Sequence, residues 1–237
     1  MPESRSNSLR HWETYYRGGA LASCPLGSYA HYTLELRDAW VEFFSALPDG
    51  ARVLDIGTGN GAIALIASQA AAALAKRFEI HGTDLARIDP VRDVADGVHL
   101  FAGIRFHAGI ATESLPFESA SFDAVSGQYA LEYTAVDRTL AEIHRVLKPG
   151  GGAQFVLHHV DSIVARNARE SLAHSALVLE DTNILRRLRR HLEAERRSPA
   201  VARKTRADLA AALQTLVHAA GQTSNPLTLN VTIDAVQ

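Results

Sequence analysis

Two carboxylates and three glycines carry the first sign of chemistry in this sequence. Residues 53–61 read VLDIGTGNG, with Asp55 two residues ahead of Gly57 and further glycines at 59 and 61, and Asp84 closes a second apolar run, FEIHGTD. A carboxylate at the end of a buried run is costly unless it is paired or hydrogen-bonded. Asp55 therefore suits a ligand that brings a positive group, directly or through water, better than it suits a pyrophosphate. The G-x-G-x-G spacing also differs from the G-x-G-x-x-G of dinucleotide binders. Glycines in such a turn permit positive φ and let a ligand approach the backbone closely. The helix that opens near Gly61 offers unpaired N–H groups to a polar or anionic group. Taken alone, the triplet describes a tight turn without a ligand equally well. Asp84 follows the glycines by roughly twenty residues, where an acidic side chain accepts both hydroxyls of a ribose; the other reading is a cap for the segment that follows.

Groups spaced this way need a sheet to bring them together. Short apolar runs bounded by turn residues predict strands at 52–56, 78–84, 104–109, 122–127 and 153–160. Helical spacing occupies 33–47, 61–75 and 137–147, with a short helix in 89–100 opened by Pro90 and a stop at KPGGG, 148–152. The alternation predicts an α/β, Rossmann-like, doubly wound and mostly parallel sheet with helices on both faces. Ligands of such sheets bind beyond the carboxyl ends of the strands. From Asp161 to about residue 220 the chain is helix-compatible, broken mainly at Ser198-Pro199, and 221–226 is a loop. In 227–236, LTLNVTIDAV, Leu227, Leu229, Val231 and Ile233 alternate with polar residues, which suits one strand; Asp234 and Ala235 are poor strand residues and keep a helix open. The expected organisation is an N-terminal helical lid or cap (1–47), a ligand-binding core (48–160) and an additional helical C-terminal segment (161–237).

Composition narrows the function. The 237 residues are 47% hydrophobic and 21% charged with a net charge of −2, so nothing global points to nucleic acid or membrane. Cys24 is the only cysteine, which excludes a disulfide framework and leaves a Cys-based zinc site short of ligands. No secretory h-region opens the chain and no apolar run reaches membrane-spanning length, so a cytoplasmic protein is expected. Residues 186–206 hold nine Lys and Arg against Glu193 and Glu195. The basic helix 184–206 is a solvated face, or else it binds RNA phosphates, an acidic partner or an anionic substrate.

In order and at suitable spacing, VLDIGTGNG, HGTDL, LPFESASFDAVSGQYAL and EIHRVLKPGGGAQFVLHH resemble the successive motifs of class I S-adenosylmethionine-dependent methyltransferases, over roughly residues 43–160. The resemblance implies S-adenosylmethionine as cofactor. Gly57, Thr58, Gly59 and Asn60 would lie against its methionine and ribose, and Asp55 would face the ammonium. Asp84 would take the ribose hydroxyls, Leu85 would cover the adenine, and Gln128 and Tyr129 would line the transfer point. Many members carry an acidic residue after the third strand; this chain has Ile110 there, followed by Ala111, Thr112 and Glu113, so backbone atoms or Thr112 would meet the adenine. The aromatic N-terminal segment would supply a lid, with Trp12, Tyr15, Tyr16, Tyr29 and Tyr32 as candidate walls, or would simply pack on the sheet. Substrate-binding candidates are Tyr16, Tyr29, Tyr129 and His158. His158 and His159, on opposite faces of a strand, are weighed as bases beside Glu132 and Tyr133. SGQY stands where amino methyltransferases of bases or glutamine carry NPPY-like residues, and Cys24 is far from the site in sequence, so a small-molecule substrate is expected. RNA or protein methylation through helix 184–206, a non-catalytic S-adenosylmethionine-binding partner module and a nicotinamide oxidoreductase are the alternatives. The family's usual terminal hairpin is expected to be missing or cut short.

Overall fold

The five apolar runs become five strands: β1 (Arg52–Ile56), β2 (Glu79–Asp84), β3 (Ile104–Ala108), β4 (Phe122–Gln128) and β5 (Leu147–Val156). This computed structural model describes residues 2–23 and 34–236. The strands are all parallel in the order β3-β2-β1-β4-β5. From β1 the chain winds outward through β2 and β3, then returns to the other side of β1 for β4 and β5. The switch point between β1 and β4 is where a doubly wound sheet opens a crevice at its carboxyl edge.

The chain divides into two compact units, Met1–Leu157 and His158–Gln237. In the first, α1 (Pro2–Arg17) and α2 (Leu34–Ser45) precede the sheet, and α3 (Ala62–Ala73) follows β1. Two short helices, α4 (Pro90–Asp93) and α5 (Gly97–Leu100), lead to β3, and α6 (Val136–Val146) leads to β5. Side chains alternate across a strand, so β1 feeds two cores. Val53 packs with Trp40 and Phe44 of α2 and with Ile63, Ala64 and Ala67 of α3, whereas Leu54 and Ile56 pack with Val125 and with Ile143 and Val146 of α6. Helices thus cover both faces.

The sequence misplaces β5. KPGGG does not end α6 but lies inside the strand, which starts at Leu147. Phe122 pairs with Leu147 and Ala124 with Gly152, and the irregularity between them absorbs the surplus residues. The strand consequently ends at Val156, leaving His158 and His159 beyond it rather than on opposite faces of a strand.

The second unit is helical: α7 (Ile163–Ala176), a π-helical turn (Leu177–Asp181), α8 (Ile184–Glu195), α9 (Pro199–Ala220) and α10 (Leu227–Val236). Ser198-Pro199 opens α9 with Pro in its first turn, where the missing N–H costs nothing. The strand suited by 227–236 is instead α10. Leu229 and Ile233, four apart, are buried with Leu209, Ala212 and Leu216 of α9, while Leu227 and Val231 stay exposed. The i, i+4 subset of the apolar residues wins because a helix face is what this unit offers to pack on. Among the described residues no helix is long and apolar enough to cross a membrane.

Candidate functional site

The turn from β1 into α3 is built on left-handed backbone. Gly57 and Gly59 adopt φ of +58° and +51°. A Cβ at Gly57 would lie 2.4 Å from the Cβ of Ala130, and one at Gly59 would lie 2.5 Å from the ring of Tyr16. Glycine is therefore demanded twice at each position, by conformation and by space. Thr58 ties the turn to the sheet, its N–H donating to the carbonyl of Thr83 at 2.9 Å.

Asp55, at the carboxyl end of β1, is 1% exposed. Its Oδ2 accepts from the Thr58 hydroxyl at 2.6 Å and its Oδ1 from the Ser126 hydroxyl at 2.8 Å. Burial pushes its carboxyl up to about 7; the hydroxyls of Thr58 and Ser126 pull it down, and the charge of Asp84 adds to the rise. Ser126 is the register partner of Asp55 on β4. The sequence reading missed it, although a polar residue inside the apolar run FDAVSGQ was the available signal. Asp55 lines a small pocket of about 10 Å³ with Gly57, Thr58, Tyr16 and Gln128.

Asp84 stands at the end of β2. Its Oδ2 accepts from the N–H of Gly59 at 2.9 Å and its Oδ1 from the N–H of Ala86 at 2.8 Å. The second bond is the local turn that the capping reading anticipated; the first reaches across to the glycine turn. Burial raises its carboxyl above the usual range, and the two backbone N–H groups oppose the rise. Each oxygen retains a lone pair for a ligand. Asp84 lines a cavity of about 360 Å³ together with Leu85, Ala111, Thr112, Tyr129 and Gly57. That volume falls in the range of small-molecule sites. Leu9, Trp12, Tyr16 and Tyr133 form an aromatic-rich side of the same cavity, with Trp12 stacked on Tyr16 at 5.7 Å and edge-on to Tyr133 at 6.1 Å. Tyr129 follows β4 in a left-handed conformation, φ +54°, held by its N–H to the carbonyl of Val156. A non-glycine residue there stores about 1–3 kcal/mol. The aromatic ring is held at the cavity despite that cost.

The remaining expected residues divide. Gln128 lines the small pocket beside Asp55. Asn60 is fully buried and its Nδ2 donates to the carbonyls of Tyr16 and Ala20, both at 2.8 Å, so it anchors the end of α1 instead of lining the cavity. The Ile110 side chain packs in the core with Leu54 and Leu115, and its N–H donates to the carbonyl of Asp84; Ala111 and Thr112 reach the cavity in its stead. His158 belongs to the second unit. Tyr29, Tyr32 and Cys24 lie outside the described residues. Among the described residues no group of His, Cys, Asp and Glu is placed to hold a metal ion.

Residues 54–155 match the family described as a methyltransferase domain. Over 115 residues the chain is 32% identical to YcgJ, an uncharacterized methyltransferase of Bacillus subtilis (strain 168), covering 46% of this chain and 41% of that protein. Over 105 residues it is 37% identical to the ubiquinone/menaquinone biosynthesis C-methyltransferase UbiE of Rhizobium etli (strain CIAT 652), covering 43% and 39%. The crystal structure of Bacillus subtilis YcgJ aligns with a TM-score of 0.43 at 25% identity, covering 61% of this chain and 59% of that one. The chain spans about two fifths of the length of the curated relatives it matches. The matched segment runs from β1 to β5 and contains the glycine turn, Asp55, Asp84 and Gln128. Residues 54–155 of this chain are a methyltransferase domain of the class I S-adenosylmethionine-dependent superfamily.

Proposed function

We propose that this chain is a methyltransferase that binds S-adenosylmethionine at the carboxyl ends of β1, β2 and β4 and methylates a small molecule. The observation that carries the reading is the pair Asp55, buried, and Asp84, half-buried, at the ends of adjacent strands and each bonded to the glycine turn between them. The residues fit the cofactor. Asp84 has lone pairs for two ribose hydroxyls, Leu85 and Ala111 offer apolar surface for an adenine, and Asp55 is a buried carboxylate without a basic partner among the described residues. When bound, S-adenosylmethionine supplies an electrophilic sulfonium methyl. The protein's part is then to hold an acceptor in line and to keep water away. Trp12, Tyr16, Tyr129 and Tyr133 do both, since they wall the cavity with rings. A base is required only where the acceptor carries a proton at its working pKa.

Tyr16 and Gly57 line both the cavity and the small pocket. An amino-acid tail does not fit in about 10 Å³. The end of α1 that carries Tyr16 therefore shifts to admit it and closes again over it, which makes the N-terminal segment a lid. The aromatic side of the cavity, beside the place given to the cofactor, suits a small-molecule acceptor, and a cytoplasmic location belongs to the same reading. The relative UbiE carries a C-methyltransferase name and supports a small-molecule acceptor. RNA or protein methylation rests on charge alone: Arg186, Arg190, Arg196 and Arg197 are exposed. Incubation with S-adenosylmethionine and fractionated metabolite extract, total RNA or total protein, read as S-adenosylhomocysteine formed, tests the reading. Turnover with the metabolite fraction is expected; turnover with RNA alone overturns the small-molecule part, and none with any fraction favours a non-catalytic module.

A further inference from the structure

Gln128 closes β4 with 5% of its surface exposed and lines the small pocket with Asp55, Gly57 and Thr58. Trp40 of α2, wholly buried, donates its indole N–H to the Gln128 Oε1 at 2.7 Å. An indole nitrogen donates and never accepts. The atom facing Trp40 must therefore be the amide oxygen, and the amide can take only one of its two orientations. Its Nε2 is consequently committed to the other side, where it is buried with no hydrogen-bond partner among the described residues. A buried donor left unmade is expensive and calls for an explanation. Next to it in the pocket lies Asp55, whose two oxygens accept from hydroxyls and meet no basic side chain among the described residues. The pocket thus presents one unused donor and one carboxylate, the complement of an α-amino-acid zwitterion.

We infer that Gln128 reads the carboxylate of the cofactor's amino-acid end, beside the Asp55 that the proposed site already sets against its ammonium, and that Trp40 is the positioning residue that keeps the Gln128 donor turned into the pocket. The inference rests on the proposed S-adenosylmethionine site and assigns the polarity of its deepest part. Without the indole N–H, the amide is free to turn its oxygen into the pocket, where it meets the ligand carboxylate with like polarity.

Two ligands separate recognition of the amino-acid end from everything else: S-adenosylhomocysteine, and 5′-methylthioadenosine, which keeps the adenosine and the thioether but lacks that end. Titration calorimetry of the full chain is expected to show Trp40→Phe and Gln128→Met each weakening S-adenosylhomocysteine roughly tenfold or more. Methylthioadenosine should change less than about twofold, within the scatter of distant substitutions. In the Gln128→Met background, Trp40→Phe should add nothing, because the residue acts through Gln128. Equal losses for both ligands make Trp40 a packing residue and overturn the inference; so does unchanged S-adenosylhomocysteine affinity in Gln128→Met. Should Trp40→Phe fail to fold, Gln128→Met still decides whether the amide reads the carboxylate. If the unaltered protein binds neither ligand, it is the cofactor site itself that falls.

Discussion

At the end of β1, Asp55 is held by two side-chain hydroxyls inside a pocket of about 10 Å³; at the end of β2, Asp84 is held by two backbone N–H groups beside a cavity of about 360 Å³. The residue type is the same and the strands are neighbours, yet the two carboxylates have different work. Asp55 receives no backbone bond from the glycines and is tied to the turn through the Thr58 hydroxyl. Asp84 fixes the turn itself, because its bond to the Gly59 N–H spans from β2 to the loop after β1. Burial raises both carboxyls; the rise is opposed chiefly by side-chain hydroxyls at Asp55 and by backbone N–H groups at Asp84.

Removing the second carboxylate should do the most damage. Asp84→Ala deletes the acceptor for a ribose and releases the Gly59 N–H together. Two charge-assisted bonds at about 1.5–3 kcal/mol each predict a loss of about 3–6 kcal/mol, ~100-fold or more in Kd for S-adenosylhomocysteine. Calorimetry checks this. A loss below about tenfold would remove the asymmetry between the two strand ends.

Gly59→Val attacks the turn from the other side. The new side chain needs a left-handed backbone and collides with the Tyr16 ring at 2.5 Å. A cost of about 3 kcal/mol in denaturant unfolding is expected from conformation and overlap together. If stability is unchanged, Tyr16 yields easily and the lid is loose already.

The protonation state of Asp55 sharpens the comparison further. Burial holds the folded carboxyl up to about 7, above its unfolded value near 3.9. The folded protein therefore keeps a proton that the unfolded chain has lost, and this group's contribution to stability is full below about pH 4 and falls as pH rises toward 7. Ligand binding has the opposite sign, since an ammonium needs the ionised form. Cofactor affinity should rise by up to tenfold per pH unit below 7 and level off above about 8. Asp55→Asn should flatten that slope, whereas the slope should survive in a variant of Asp84.

These pairings show how far the sequence reaches. The strand ends, the glycines and both carboxylates are local features: VLDIGTGNG and HGTD each carry strand, turn and acid within a few residues, and the structure keeps them where the spacing put them. Contacts between strands were not legible. Ser126 meets Asp55 only because β1 and β4 pair in that register, and Trp40 meets Gln128 across 88 residues of chain. Where local and tertiary signals conflict, packing decides. KPGGG reads as a stop yet is drawn into β5 by pairing with β4, and the alternating residues of α10 become a helix because Leu229 and Ile233 find α9.

The smallest expected effect concerns Asn60, which the motif placed on the ligand and the structure places against the end of α1. Its Nδ2 bonds to the carbonyls of Tyr16 and Ala20 fasten the last turn of α1 to the glycine turn. The Tyr16 carbonyl keeps a second donor, the N–H of Gly19 at 3.0 Å, so Asn60→Ala strands only the Ala20 carbonyl. Two net hydrogen bonds at about 0.5–1.5 kcal/mol each, the first partly compensated, predict a loss of about 1–2 kcal/mol. That loss should be local: α1 opens from the turn while the sheet, whose bonds Asn60 does not share, stays closed. Hydrogen exchange should therefore speed up about 5- to 30-fold in residues 9–23 and stay unchanged in β1 and β4. In the unaltered protein, S-adenosylhomocysteine should slow exchange in the same residues as the lid closes. Faster exchange across β1 as well would mean that Asn60 holds the site rather than the lid, and that the end of β1 is less rigid than its hydroxyl-bound carboxylate implies.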